Sequence, residues 1–153
     1  MVSEQANNIK IIQYYNGAFN RGDIAASIQF FSEPTRNHNL VVPRVAIARV
    51  LEDIRIRFPD AQLSIDRIVA VDDQVIVLQT YSGTHRGIGR LPLDGGLLVG
   101  VAPSGRHFSV QHIHWYTLKQ GLIVDHRAVR DDVGMMVQLG FIVPPAVPDP
   151  LWT

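Results

Sequence analysis

Residues 106–130 read RHFSVQHIHWYTLKQGLIVDHRAVR. The stretch reads as two strands joined by a tight turn, and it holds four of the chain's six histidines. Phe108, Val110, Ile113, Trp115 and Leu118 are apolar or aromatic residues of the kind that favour strands. Lys119-Gln120-Gly121 supplies the turn, with Gly121 free to take positive φ. Ile123 and Val124 open the second strand. Side chains alternate between faces along a strand, so His112, His114 and Tyr116 share one face. Val124, His126, Ala128 and Arg130 share a face of the next strand. If the two faces point the same way, the hairpin carries a histidine-rich surface. Whether that surface meets a cavity or solvent decides the function.

Working outward, the period is two again from Ala61 onward. Leu63, Ile65, Arg67 and Val69 alternate with Ser64, Asp66, Ile68 and Ala70, Asp72-Asp73 signals a turn, and Val75–Tyr81 returns. Residues 86–105 are rich in glycine and predict a long loop, with a short hairpin at Asp94-Gly95-Gly96. Upstream the spacing is helical. Ile9, Ile12, Tyr15, Ala18 and Phe19 predict an amphipathic helix over 4–20, capped by Ser3 and ended by Gly22. Asp23 caps a short second helix carrying Ile24, Ile28, Phe30 and Phe31, which Glu33-Pro34 stops. Thr35–Val42 is a polar loop or short strand containing His38. Pro43 opens a third helix that runs to about Arg57, with Val45, Ala48, Leu51, Ile54 and Phe58 turned inward. At the other end, Asp131 or Asp132 caps a last short helix carrying Val133, Met136, Val137 and Leu139, and Gly140 ends it. The tail, residues 144–153, is Pro-rich and expected to be extended. Three helices before a run of strands predict an α+β fold, with the helices on one face of a strongly curved, mainly antiparallel sheet. Such a cone encloses a pocket suited to a small apolar molecule.

Composition excludes several classes. At 153 residues the chain predicts one domain, residues 1–153. Lys plus Arg equals Asp plus Glu at 14 each, which argues against nucleic acid as partner. There is no cysteine, so disulfides and thiol catalysis are excluded. No apolar run is long enough to span a membrane, and the N-terminus has no signal core, so no membrane is expected and a cytoplasmic location is the default. There is no P-loop, no nucleophile elbow and no dinucleotide fingerprint.

Three stretches together resemble a known family. Residues 14–23, YYNGAFNRGD, resemble the YY-x-x-AFN-x-GD opening of SnoaL-like proteins, and residues 82–87, SGTHRG, resemble their SGTH-x-G strand exit. Residues 108–114 and 123–140 resemble their third segment. The order of segments agrees over nearly the whole chain. The resemblance is to the SnoaL-like polyketide cyclase and ester cyclase family, similar in fold to nuclear transport factor 2 and ketosteroid isomerase. It implies a cone-shaped α+β barrel, a homodimer or homotetramer, and ring closure by intramolecular aldol condensation with no metal and no organic cofactor. In the cyclases an aspartate two residues after a last-strand histidine acts as general acid/base. Here that position is Ala128, which can neither take nor give a proton.

The expected chemistry is therefore cofactor-free proton transfer (cyclisation, isomerisation or dehydration) on an apolar carbonyl compound. His114 is the candidate base or orienter, because imidazole exchanges protons near neutral pH. His126 and Asp131 are candidate assistants, although an aspartate at Asp131 also fits a helix cap. Arg130 could stabilise an enolate. Tyr15, Phe19, His38, Tyr81, His112, Tyr116, Ala128 and Arg130 are expected to line the pocket. His112, His114 and His126 could alternatively hold a metal, a reading that the resemblance does not favour. Because Ala128 removes the expected carboxylate, a non-catalytic ligand-binding protein on the same fold is the alternative.

Overall fold

The computed structural model describes residues 3–146. Most of the predicted tail, residues 147–153, lies outside them. Among the described residues the chain order is α1 (Glu4–Asn20), α2 (Ile24–Ile28), β1 (Phe31–Asn37), β2 (Leu40–Val42), α3 (Arg44–Arg57), β3 (Gln62–Val71), β4 (Gln74–Thr84), a 3-10 turn (Asp94–Gly96), β5 (His107–Lys119), β6 (Leu122–Arg130) and α4 (Asp132–Gln138). The strands form one sheet in the order β2-β1-β6-β5-β4-β3. β1 runs parallel to β6 and the other pairs are antiparallel. The sheet curls around the helices without closing, since its edges β2 and β3 are not paired to each other. Among the described residues, no helix is long and apolar enough to cross a membrane.

Local chemistry explains the helix ends. The Ser3 hydroxyl accepts from the Ala6 amide and the Asp23 carboxylate from the Ala26 amide, each satisfying a donor with no intrahelical partner. Gly22 takes φ 69° just past the α1 cap, where a side chain would be strained. The β5–β6 turn places both Gln120 and Gly121 at positive φ, as a tight two-residue hairpin requires.

Several expectations are corrected. Phe30 and Phe31 are not helical: α2 stops at Ile28, and Phe31 begins β1, where it pairs in parallel with Ile123. A β1–β2 hairpin thus stands between α2 and α3, with His38 and Asn39 at positive φ in its turn. In α3, Val45 is 52% exposed, and Ile47 takes its place beside the expected Leu51 on the inner face. In α4, Val133 is 64% exposed and Met135 is buried. A bulge between Ile65 and Arg67 resets the parity of β3, so Leu63 packs in the core while Val69 faces out. A second bulge leaves Val124 unpaired and sets Ile123 against Leu118 in the core. No hairpin forms around Asp94. That loop carries the 3-10 turn and an isolated bridge between Gly89 and Val99.

Residues 86–105 are held down by a buried ion pair. Arg57 is fully buried and lies 2.8 Å from Asp53, one helical turn earlier. Asp53 accepts from the Arg90 amide at 2.7 Å, and Arg57 Nη2 donates to the Leu91 carbonyl. Gly89 passes so close to Arg57 that a Cβ would sit 1.7 Å from its Nε. The loop's Leu98 is buried, and Leu93 reaches the cavity between helices and sheet.

Candidate functional site

The sheet's concave face and the helices enclose a cavity of about 150 Å³. Its two halves differ chemically. Phe19 from α1, Leu51 and Ile54 from α3, and Leu63 and Tyr81 from the sheet form an apolar half. The other half is polar and comes from β1, β5, β6 and the β1–β2 turn: Asn37, His38, His112, His114, His126 and Arg130.

Strand register explains that convergence. His112, His114 and Tyr116 pair across β5–β6 with Arg130, Ala128 and His126. Alternation places all six on the inner face, as expected from their parity. The parallel pairing of β1 with β6 then sets Asn37 beside His126. The rings form a continuous chain. Asn37 Oδ1 lies 2.9 Å from His126 Nδ1, and His126 Nε2 lies 2.9 Å from His114 Nδ1. His114 Nε2 lies 3.4 Å from His112 Nδ1. The Tyr116 hydroxyl is 3.3 Å from His114 Nδ1, and its ring stacks on His126 at 4.8 Å.

All of these imidazoles are held neutral. Burial pushes the His112 pKa down to about 4, aided by the positive charge of Arg130 and opposed by Asp131 and Asp132. Burial pushes His126 down to about 3, with His38 and Arg130 adding to the shift. His114 is driven well below its ordinary value by burial first, then by His126 and His112. His38 is lowered by burial, then by Arg130 and Arg127. Burial raises Tyr116 well above the ordinary phenol range, so it stays protonated. Arg130 meets Asp132 through two contacts, 3.3 and 3.4 Å.

Of the expected residues, Tyr15, Phe19, His38, Tyr81, His112, His114, His126, Ala128 and Arg130 all line the cavity. Tyr116 lies beneath the lining and supports the histidines. Asp131 is not brought to the cavity: it is exposed, and its carboxylate caps α4 by accepting from the Gly134 amide at 2.8 Å. A carboxylate committed to that cap cannot reach the Ala128 position. Asn37 was missed. No sequence signal marks it, because its histidine partner is 89 residues away. Among the described residues, no group of three histidine or acidic side chains has a geometry that could hold a metal ion.

Comparison with known proteins agrees with this architecture. A family model described as SnoaL-like polyketide cyclase matches residues 9–139. AclR from Streptomyces galilaeus, described as a candidate hydroxylase, is 24% identical with a TM-score of 0.75, covering 92% of this chain and all of its own. TsrD from Streptomyces laurentii is 22% identical with a TM-score of 0.78, covering 92% of this chain and 99% of its own. IdmH from Streptomyces antibioticus, described as a candidate polyketide cyclase, is 24% identical with a TM-score of 0.71, covering 87% of this chain and 98% of its own. At these identities the structural likeness establishes the fold alone. No curated protein matches the chain.

Proposed function

The chain belongs to the SnoaL-like polyketide cyclase family, and from that premise we propose that its cavity catalyses cofactor-free proton transfer on a small apolar carbonyl compound. The observation that carries this reading is the chain of neutral histidines lining the cavity across from Ala128. A neutral imidazole can take a proton from the carbon beside a carbonyl, and a buried one needs no carboxylate to do so. The apolar half of the cavity would hold the substrate skeleton. Arg130 would face the negative charge that develops on the carbonyl oxygen. Burial of the reacting groups strengthens each of these interactions, because little water remains to screen them.

The test is α-proton exchange. Cyclic ketones and β-keto esters are incubated with the protein in D2O, and loss of the α-proton signal is followed by NMR. Wild-type protein is expected to accelerate exchange, and His114→Ala to remove about 100-fold or more of the acceleration, the usual share of a positioned acid/base group. Full exchange in His114→Ala would rule out its part in proton transfer. The second reading, a non-catalytic binding protein, is favoured by Ala128 alone. It predicts that the same compounds raise the melting temperature while exchange stays at the buffer rate.

The family reading also carries a homodimer. The outer sheet face exposes Ile113, Trp115 and Val129, with Trp115 at 49% and Val129 at 75%. Asp66, Arg67, Asp125 and Arg127 lie on the same outward side, so two copies related by a two-fold axis can set opposite charges around an apolar centre. Trp115→Glu is expected to give a monomer in sedimentation velocity from a dimeric wild type. A monomeric wild type would refute the pairing.

A further inference from the structure

We infer that Asn37 is a positioning residue that sets the proton order along the histidine chain, so that His112 presents a bare Nε2 to the cavity as the proton acceptor. The inference rests on the proton-transfer reading of the site and names the atom that performs it.

The argument follows from donor and acceptor counting. An amide oxygen can only accept, so the 2.9 Å contact with Asn37 Oδ1 requires His126 Nδ1 to carry its hydrogen. A neutral imidazole has one N–H, so His126 Nε2 is bare and accepts from His114 Nδ1–H at 2.9 Å. The Tyr116 oxygen, 3.3 Å from the same nitrogen, can accept a minor share of that hydrogen. His114 Nε2 is then bare and accepts from His112 Nδ1–H at 3.4 Å. By the same counting His112 Nε2 is left as the bare end of the chain. His112 lines the cavity, its ring tilted by 43° against Tyr81 with centroids 5.0 Å apart, and it is paired across the strands with Arg130. Each tautomer thus depends on the one before it, and the series starts at Asn37. A hydrophobic residue there would leave His126 free to adopt either tautomer, and the order downstream would be lost.

The strength of this base fits the task. With a pKa of about 4, His112 has nearly the proton affinity of an ordinary aspartate, about 3.9. It can supply what the carboxylate absent at Ala128 would have supplied, without a buried negative charge. In the step, the substrate α-C–H bond breaks and its proton forms an N–H bond on His112 Nε2. The electron pair becomes the C=C of an enolate, with negative charge on the former carbonyl oxygen. The His112 Nδ1 proton can then pass to His114 Nε2, and the His114 Nδ1 proton to His126 Nε2. The positive charge can thus be shared along the chain as far as His126, although His112 is the stronger base of the two ends, and His126 Nδ1–H faces Asn37 Oδ1 throughout. Asn37 cannot take a proton, so the relay ends there. Reversal of the same moves delivers a proton to the product carbon.

The test reads tautomers directly. Long-range proton–nitrogen correlation spectra of the 15N-labelled protein at pH 7 should show His126 protonated at Nδ1 and His112 bare at Nε2. Asn37→Leu should mix the two tautomers of His112 and lower the exchange kcat at least about tenfold with KM unchanged. Asn37→Asp keeps an acceptor for His126 Nδ1–H and should restore both the wild-type pattern and the rate. A proton on His112 Nε2 in the wild type overturns the inference, and so does an unchanged spectrum in Asn37→Leu. The wild-type spectrum needs neither turnover nor a variant. Absent exchange in the wild type therefore counts against the proton-transfer reading, while the proton order is judged separately.

Discussion

Asp53→Ala is expected to destabilise the protein by about 3–5 kcal/mol, the usual cost of removing one member of a buried ion pair. Arg57 has no exposed surface in the folded protein, and Asp53 sits 2.8 Å from its guanidinium. Without the carboxylate the buried guanidinium loses its 2.8 Å charge partner, and burying a charge is costly when its pairing is weakened. The loss is compounded at the loop, because Asp53 also accepts from the Arg90 amide at 2.7 Å and the Leu91 amide at 3.4 Å. Domains of this size hold roughly 5–15 kcal/mol in total, so the variant should unfold at a much lower urea concentration. Arg57→Leu combined with Asp53→Ala should recover part of the loss, since removing both charges is far cheaper than stranding one. Tryptophan fluorescence in a urea titration measures all three proteins. A single variant within 1 kcal/mol of wild type would show that the pair does not hold the loop. Because Leu93 of that loop lines the cavity, the same variant should also weaken ligand binding.

This ion pair illustrates what a chain read residue by residue cannot reveal. Arg57 and Asp53 look like the solvated face of an amphipathic helix. They are buried because residues 86–105 fold back over them, and no local pattern announces that return. The same holds for Phe31. Its spacing from Ile24 and Ile28 is helical, but its parallel pairing with Ile123 outweighs the local preference. The bulge at Ile65–Arg67 defeats simple alternation for the same reason, since an extra residue reverses every face after it. By contrast, β5 and β6 were legible because a period of two, a tight turn and an inner face can all be read locally. That is why His112, His114, His126 and Arg130 were found together. Ala128 was found through the resemblance, by the residue it replaces. Asn37 was not found, because it joins the site only through β1. Asp131 was read both as a cap and as a catalytic candidate, and the structure uses it as the cap.

The neutral histidines predict that stability and activity respond to acid differently. Free imidazole titrates near 6.5, whereas folded His112 and His126 titrate at about 4 and about 3. Between those values the unfolded chain binds more protons than the folded one, so stability is complete above pH 6.5 and falls as pH drops toward 4. Each such histidine removes about 1.4 kcal/mol per pH unit, so by pH 5 the two together cost roughly 4 kcal/mol. His38, His85 and His114 are also lowered and act with the same sign. The charges facing His112 do not reverse it: Arg130 deepens the shift, and Asp131 and Asp132 offset it only in part. Most carboxylates stay ionised down to pH 5, so the window from 7 to 5 isolates the histidines. Urea midpoints should therefore fall steadily over that window, and His112→Gln with His126→Gln should flatten the slope. Equal wild-type midpoints at pH 7 and 5 would contradict the buried neutral state. Activity should do the opposite over the same range. A base that stays unprotonated down to about pH 4 keeps kcat/KM constant from pH 7 to 5 as long as the protein is folded. A histidine of ordinary pKa would lose its rate through 6.5 instead. The two profiles taken together separate a base inside this chain from an exposed histidine acting alone.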